Sequence, residues 1–147
     1  KLSLITKLNV KKLKKKATII SGSKNNPFLT DLEIRDFYNK SKIIVIPIKE
    51  TLQPSGYSVA LQAMACGKPV IMTKIKGLWD QNNFKNMHNI IFVSPNNPME
   101  LEKSIKLLLG DSNLRFQMGK EARKTVENFF SLKRMNQDFQ NLINLFK

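Results

Sequence analysis

The chain has 147 residues, of which 41% are hydrophobic and 24% charged, a balance typical of one globular domain with its own core. Its net charge is +14. No apolar run approaches the ~20 residues that cross a bilayer, and no apolar signal-peptide segment follows the basic N-terminus. The single cysteine, Cys66, excludes an internal disulfide framework and favours a reducing compartment.

Five short apolar segments are predicted strands, and helical segments separate most of them. The β-branched run from Ile43 to Ile46 has no polar alternation, which is typical of a strand buried on both faces. Strands that alternate with helices form right-handed βαβ units. We therefore predict an α/β fold, a doubly wound parallel sheet with flanking helices. The five predicted strands are Leu2–Thr6, Ala17–Ser21, Ile43–Ile46, Val70–Met72 and Asn89–Val93.

Two helix starts carry clear chemical signals. Thr30 and Glu33 have the spacing of a capping box, in which each side chain bonds the backbone N–H of the other residue. Asn97 is a good cap, and Pro98 suits the first helical position. Near the C-terminus, a last helix is predicted from about Ser131. Its apolar residues fall on one face, at Met135, Phe139, Leu142 and Phe146.

The segment between the third and fourth predicted strands is the candidate binding site. Ser55 and Gly56 immediately precede a helix predicted over Ser58–Cys66, which Gly67 ends. Glycine permits close approach of the backbone, serine donates a hydrogen bond, and a helix N-terminus favours anions. The pattern therefore predicts an anion site. On the residues alone, the alternative that Ser55 caps the helix and Gly56 only serves the turn stays equally open.

Two adjacent motifs resemble a known family. Gln62–Ile71 reads QAMACGKPVI and is similar to the E-A-M-A-x-G-x-P-V signature of retaining GT-B glycosyltransferases of family 4, the glycosyl transferases group 1. Gln53–Val59 resembles a Ser-Gly variant of the loop before that signature. The resemblance extends from about Leu2 to the C-terminus. It implies a Rossmann-like C-terminal domain that binds a nucleotide-sugar donor.

The resemblance also implies a reaction and a set of contacts. The full enzyme would be a hexosyltransferase-type glycosyltransferase that moves a sugar from an NDP-sugar to a glycan or lipid-linked acceptor, as in cell-envelope polysaccharide biosynthesis. Gln62 stands where the family contacts the ribose. No catalytic residue is assigned. The implied contacts to the donor phosphate and sugar are Ser55, Gly56, Tyr57 and Ser58.

The chain departs from the family at both of its usual glutamates, which are spaced E-x7-E. Pro54 and Gln62 occupy the two positions. Gln62 can still bond ribose hydroxyls through its amide, whereas Pro54 cannot replace an acid. Glu50 lies four residues before the expected place and is interpreted as a loop charge. The departure affects recognition of the donor sugar more than binding of the nucleotide.

Three further residues on predicted loops are candidates for the base or sugar edge of the site: Gly22, Gly77 and Trp79. For Trp79, packing under its loop is an equally open alternative. We expect no metal and no other cofactor, because the dipole of a helix and basic side chains can stabilise a leaving diphosphate. The basic pair that the family uses for this follows its strand 1, which this chain lacks.

The usual strand order of such a sheet is 3-2-1-4-5-6, and the resemblance implies that the five predicted strands correspond to numbers 2 to 6. Strand 1 would be missing, and the first residue is Lys1 rather than Met. We therefore expect residues 1–147 to be the C-terminal nucleotide-sugar-binding domain of a longer protein. The N-terminal acceptor domain would be absent, and the 147 residues alone would be inactive.

A basic cluster lies near the N-terminus, and its core is the segment Lys11–Lys16. It is either a solvated connection or a peripheral contact with an anionic membrane surface. No aromatic or Arg pattern accompanies it, so we expect no nucleic-acid partner. The expected location is the cytoplasm, with peripheral contact at the inner membrane face as the special case. Two alternatives to the enzyme stay open, a non-catalytic nucleotide-sugar-binding module and a basic surface-binding module.

Overall fold

The computed structural model describes residues 2–5, 17–20, 29–78 and 82–146. The chain divides into two compact units, Lys1–Asp36 and Phe37–Lys147. The strands are β1 (Leu2–Ile5), β2 (Ala17–Ile20), β3 (Ile44–Ile46), β4 (Val70–Thr73) and β5 (Ile91–Val93). The helices are α1 (Asp31–Lys40), α2 (Tyr57–Ala65), α3 (Pro98–Gly110), α4 (Ser112–Phe129) and α5 (Leu132–Asn144).

Within the described ranges, the strand pairs are all parallel and form two sheets. In the first unit β1 pairs with β2, and in the second unit the order is β3-β4-β5. These are the neighbours that the predicted order places on either side of strand 1, namely strands 2 and 3 and strands 4, 5 and 6. The predicted α/β class and the predicted strand pairing are confirmed.

The predicted start of the fifth strand is wrong by two residues. It was expected at Asn89, but β5 starts at Ile91. The backbone N–H of Asn89 donates to the carbonyl oxygen of Lys85 at 3.2 Å, and its side-chain oxygen accepts from the N–H of Lys85 at 2.8 Å. Asn89 therefore closes a turn rather than extending a strand. The predicted strand ends at Thr6 and Ser21 lie outside the described residues.

Helices cover both faces of the three-stranded sheet. All four residues of the central strand β4 are buried. Gly56, before α2, lies against Met72, whereas Ile71 packs with Leu108 of α3 and Met118 of α4. Consecutive residues of a strand point to opposite faces, so α2 and α3 lie on opposite sides of the sheet. This arrangement is the predicted doubly wound one.

The predicted helix signals are confirmed at three ends. Glu33 accepts from the backbone N–H of Thr30 at 2.8 Å, and the N–H of Glu33 donates to the Thr30 hydroxyl at 3.3 Å. Asn97 accepts from the N–H of Glu100 at 3.0 Å. At the end of α2, Gly67 adopts φ +67°, as a left-handed helix stop requires. Local chemistry therefore sets these boundaries.

The helix α5 differs from the other helices of the second unit, because none of its residues is buried in the part of the chain that the structure describes. The predicted stripe of apolar residues exists, but it is exposed, with Phe139 at 60% of its full accessibility. Of the helices in the described ranges, none combines the length and apolar character that a membrane span requires.

Candidate functional site

The loops that follow β3 and β4 meet at the carboxyl edge of the sheet. The N–H of Ile48 donates to the hydroxyl of Thr73 at 3.1 Å, and the N–H of Gly77 donates to the carbonyl oxygen of Thr51 at 2.9 Å. A Cβ added at Gly77 would lie 2.6 Å from the carbonyl carbon of Gln53, so only glycine fits there. Ligands of open α/β sheets bind at this edge.

Gly56 joins this pair of loops to α2. It is the N-cap of the helix and adopts φ +74°, a left-handed conformation that favours glycine. A Cβ at this position would lie 2.9 Å from Cγ2 of Ile46. The alternative that Ser55 caps α2 is wrong, because the cap is Gly56 and no side chain caps this N-terminus. The helix also begins at Tyr57, one residue earlier than expected.

The structure places all four predicted phosphate contacts at the start of α2, and the side chain of Tyr57 is buried there. Ser55 is half-buried, its N–H donates to the carbonyl oxygen of Gln53 at 2.7 Å, and Ser58 is exposed in the first turn. The ring of Tyr57 is buried, with its centroid 5.4 Å from Phe84 and 6.1 Å from Phe130. That ring belongs to an aromatic core beneath the helix start, whereas Ser55 and Gly56 are half-buried and Ser58 is exposed.

Gln62 lies on the exposed side of α2 and has a partner that sequence analysis did not identify. Its side-chain oxygen accepts a hydrogen bond from the hydroxyl of Tyr38 at 3.2 Å. Burial, with a smaller contribution from Cys66, raises the pKa of Tyr38 above its ordinary value, so the phenol stays a donor. This bond orients the Gln62 amide. The sequence around Tyr38 does not indicate this hydrogen bond, because Tyr38 and Gln62 are 24 positions apart.

Glu50 is more than the loop charge that the sequence suggested. One of its carboxylate oxygens accepts from the backbone N–H of Lys76 at 2.8 Å and from that of Thr51 at 3.2 Å. The side chain thus contacts both edge loops, although it stands four residues from the family's usual acid position.

The remaining predicted positions have different outcomes. Gly77 lies at the carboxyl edge, as expected. Gly22, Trp79 and the basic segment Lys11–Lys16 lie outside the described residues. Their proposed contacts with base, sugar or membrane stay predictions.

This geometry agrees with what sequence comparison finds. The family model of glycosyl transferases group 1 matches residues 6–125. The chain belongs to the glycosyl transferases group 1 family. The predicted family is therefore confirmed, and the motif at Gln62–Ile71 lies within the matched range.

Three relatives illustrate how this group 1 chain compares with longer proteins. An uncharacterised glycosyltransferase of Methanocaldococcus jannaschii is 30% identical over 98 residues, which are 66% of this chain and 26% of that protein. Sucrose-phosphate synthase from Thermosynechococcus elongatus matches with a TM-score of 0.71 and 25% identity, over 91% of this chain and 32% of that one. Anabaena HepE, in complex with UDP-glucose, matches with a TM-score of 0.70 and 18% identity, over 90% of this chain and 33% of HepE.

The structural matches also confirm the predicted architecture. The three-stranded parallel sheet with its flanking helices is that of the Rossmann-like domain of GT-B glycosyltransferases. The chain spans about a third or less of the length of each of the three relatives.

Proposed function

We propose that this chain is the donor-binding part of a glycosyltransferase that transfers a sugar from a nucleoside diphosphate sugar to an acceptor. The segment from Ser55 to Ser58 would hold the diphosphate, and Gln62 would bond the ribose. The proposal includes residues 1–147 as one C-terminal domain that needs an acceptor-binding domain for turnover. Membership of the glycosyl transferases group 1 family supports the class of reaction.

The observation that carries this proposal is the position of Gly56. It sits in a left-handed conformation at the N-terminus of α2, at the sheet edge, and no side chain caps that terminus. By contrast, α3, α4 and α5 are capped by side chains, those of Asn97, Asp111 and Ser131. Backbone N–H groups at a helix start, next to a glycine and a serine, suit a diphosphate.

The proposal also specifies a donor to test first and a class of acceptor. HepE was solved with UDP-glucose, which supports a uridine diphosphate sugar as the first donor to test. The acceptor class, a glycan or a lipid-linked glycan, rests on the family resemblance of the sequence. No resident metal is included, because the start of α2 and basic side chains would stabilise the leaving diphosphate.

The alternative is a module that binds a nucleotide sugar without transferring it. Pro54 and Gln62 replace the two glutamates of the family, and Gln62 is bonded to Tyr38 at 3.2 Å. An amide held in this way can still serve the ribose, but no carboxylate stands at position 54. The two hypotheses agree on binding and differ on turnover.

The test is donor binding by the protein at its full natural length. Ligand-observed NMR with UDP-, GDP- and ADP-glucose would identify the base, and release of nucleoside diphosphate with glycan acceptors would measure turnover. Binding and turnover together are the expected result. Binding without turnover would favour the non-catalytic module, and no binding in a folded protein would overturn the donor-site proposal.

A matched pair of variants localises the site. Gly56→Ala places a Cβ against Ile46 in a left-handed conformation, so we expect at least about tenfold weaker binding. Gly110→Ala makes the same chemical change where nothing lies within 4 Å, and should bind like wild type. If Gly56→Ala lowers the folded yield, the double change Ser55→Ala and Ser58→Ala tests the same site through its hydroxyls.

A further inference from the structure

The acid Glu50 links the two loops that form the carboxyl edge. The two N–H groups that donate to its Oε1 belong to different loops, Thr51 after β3 and Lys76 after β4. A single oxygen atom therefore holds both loops. Next to it, the N–H of Gly77 donates to the carbonyl oxygen of Thr51 at 2.9 Å, which adds a second bond across the same gap.

The chemical setting of Glu50 is unusual for a surface acid. It is the only acidic residue between Phe37 and Leu78, and the lysines at positions 49, 74 and 76 flank the two loops. The side chain is exposed, yet its carboxylate oxygen is directed at backbone N–H groups. Hydrogen bonds to an ionised acceptor are shorter and stronger than those between neutral groups.

A short chain of contacts leads from Glu50 to the helix start. Gly77, beside Lys76, packs on Gln53 so closely that a Cβ would meet its carbonyl group. The same carbonyl oxygen accepts from the N–H of Ser55 at 2.7 Å, and Ser55 directly precedes Gly56. A shift of one loop against the other would therefore change the position of Ser55 and Gly56.

We propose that Glu50 is a positioning residue of the donor site. Its carboxylate would fix the loop after β3 on the loop after β4 and so set the shape of the segment that holds the diphosphate. The inference rests on the proposed function, since it assigns Glu50 to the same site. Glu50 acts through Lys76, Gln53 and Ser55 rather than through contact with the donor.

Three substitutions of Glu50 distinguish the effect of side-chain length from the effect of charge. Glu50→Gln keeps an acceptor oxygen at the same distance but removes the charge. Glu50→Asp keeps the charge but shortens the side chain by one methylene, and Glu50→Ala removes both. If the residue positions the loop, Asp and Ala weaken binding of UDP and the UDP-sugar by about tenfold, whereas Gln stays within about threefold of wild type.

The experiment measures the dissociation constants of UDP and UDP-glucose by titration calorimetry, on the full-length protein, for wild type and the three variants. Backbone amide NMR signals of Lys76 and Ser55 are the second readout. The Lys76 signal should move in all three variants, since its N–H bonds position 50 directly, whereas the Ser55 signal should move in Asp and Ala but not in Gln. Glu102→Ala is the matched control, because Glu102 is an exposed acid outside the edge loops, and its carboxylate pairs with Nζ of Lys106 at 2.6 Å. It should leave binding and both signals unchanged.

The outcomes distinguish this inference from the proposed function. If wild type binds no nucleotide, both are overturned. If wild type binds and the Asp and Ala variants bind equally well, only the role of Glu50 is overturned. A Gln variant that binds as weakly as Ala while its Ser55 signal stays in place would also overturn it, since the charge would then act on the donor rather than on the loops. If the Glu50→Ala variant does not fold, the Gln and Asp variants still test whether Glu50 positions the loops.

Discussion

Gly119 in the middle of α4 lies directly against the carbonyl oxygen of Gly67, the residue that ends α2. Gly119 lets the two segments approach more closely than a side chain there would allow, because a Cβ at position 119 would overlap the Gly67 carbonyl. Gly67 closes α2 with two bonds, its own N–H to Met64 at 2.8 Å and the N–H of Lys68 to Ala63 at 3.1 Å. This stop therefore serves both as a helix end and as the contact surface for α4.

Gly119→Ala is expected to destabilise the fold by about 2 kcal/mol, because the added methyl group would overlap the Gly67 carbonyl. Helix propensity alone would predict the opposite sign, by up to about 1 kcal/mol in favour of alanine. Urea denaturation measures the difference. Gly110→Ala, at an open position, is the control and should be neutral or slightly stabilising. A stabilised Gly119→Ala variant would show that α2 and α4 can separate without cost.

Asn89 is expected to be a main polar contact between the turn before β5 and α4. Its buried amide donates to the Thr125 hydroxyl at 2.8 Å and to the Asn83 carbonyl at 2.7 Å. Asn89→Ala should cost about 1–3 kcal/mol, and Thr125→Val about 1 kcal/mol, because each leaves buried polar groups without this bond. The double variant should cost less than the sum of the two, as measured by denaturant unfolding. Additive losses would contradict the coupling.

Acid should weaken the start of α3 through Glu100. The backbone N–H of Ser94 donates to its carboxylate at 2.7 Å, which lowers the pKa of Glu100 below 4.5. A carboxyl whose folded-state pKa is depressed stabilises the fold above its unfolded pKa and loses that stabilisation as pH falls through the folded value. The stability difference between wild type and Glu100→Gln should therefore be largest above pH 4.5 and shrink below it. Thermal melts between neutral and acid pH measure it.

Glu102→Gln is the control for that pH series, since Glu102 is an exposed acid on the same helix and pairs with Lys106 on the surface. Exposed pairs contribute little to stability, so its melting temperature should follow wild type at every pH. A difference for Glu100→Gln that stays constant with pH would contradict the role of the charge.

The apolar face of α5 should contribute little to the stability of the described fold. Phe139 is 60% exposed, so Phe139→Gln should change the free energy of unfolding by no more than about 0.5 kcal/mol. Leu108, in contrast, is fully buried, and Leu108→Ala should cost about 2–5 kcal/mol. Equilibrium unfolding of the two variants side by side gives the comparison. A large loss in Phe139→Gln would mean that part of this chain covers the face.

Local chemistry explains what the sequence could predict. Thr30 with Glu33, Asn97 with Pro98, and Gly67 each act over a few neighbouring residues, so their effect can be read from spacing alone. The run Ile43–Ile46 and the βαβ rule predicted the α/β class, and the strand pairing followed from the usual strand order of such sheets, matched through the family resemblance. Element boundaries were less accurate where a side chain competed with the backbone, as at Asn89.

The sequence predicted where in the chain the candidate site lies, but not which hydrogen bonds shape it. The Ser55 and Gly56 pair marked the helix start, but the bonds that shape it join residues about 25 positions apart, such as Ile48 with Thr73 and Glu50 with Lys76. No periodicity or motif reports such contacts. Likewise, the apolar spacing in α5 predicted an amphipathic helix, but spacing cannot tell what covers its face.

The hydrogen bonds between the loops after β3 and β4 limit which sequence changes these loops can accept. Apart from the Glu50 carboxylate and the Thr73 hydroxyl, the contacts between the loops are made by main-chain atoms, the carbonyls of Thr51 and Gln53 and the amides of Ile48, Lys76 and Gly77. Leu52 between Thr51 and Gln53 is 82% exposed, so its side chain contributes little to this contact. An inserted or deleted residue would instead shift every bond at once. Loop length, together with the side chain of Glu50 and the glycine at position 77, then keeps the two loops joined. A proline at position 54 is accommodated because the loop bonds described here require no N–H there.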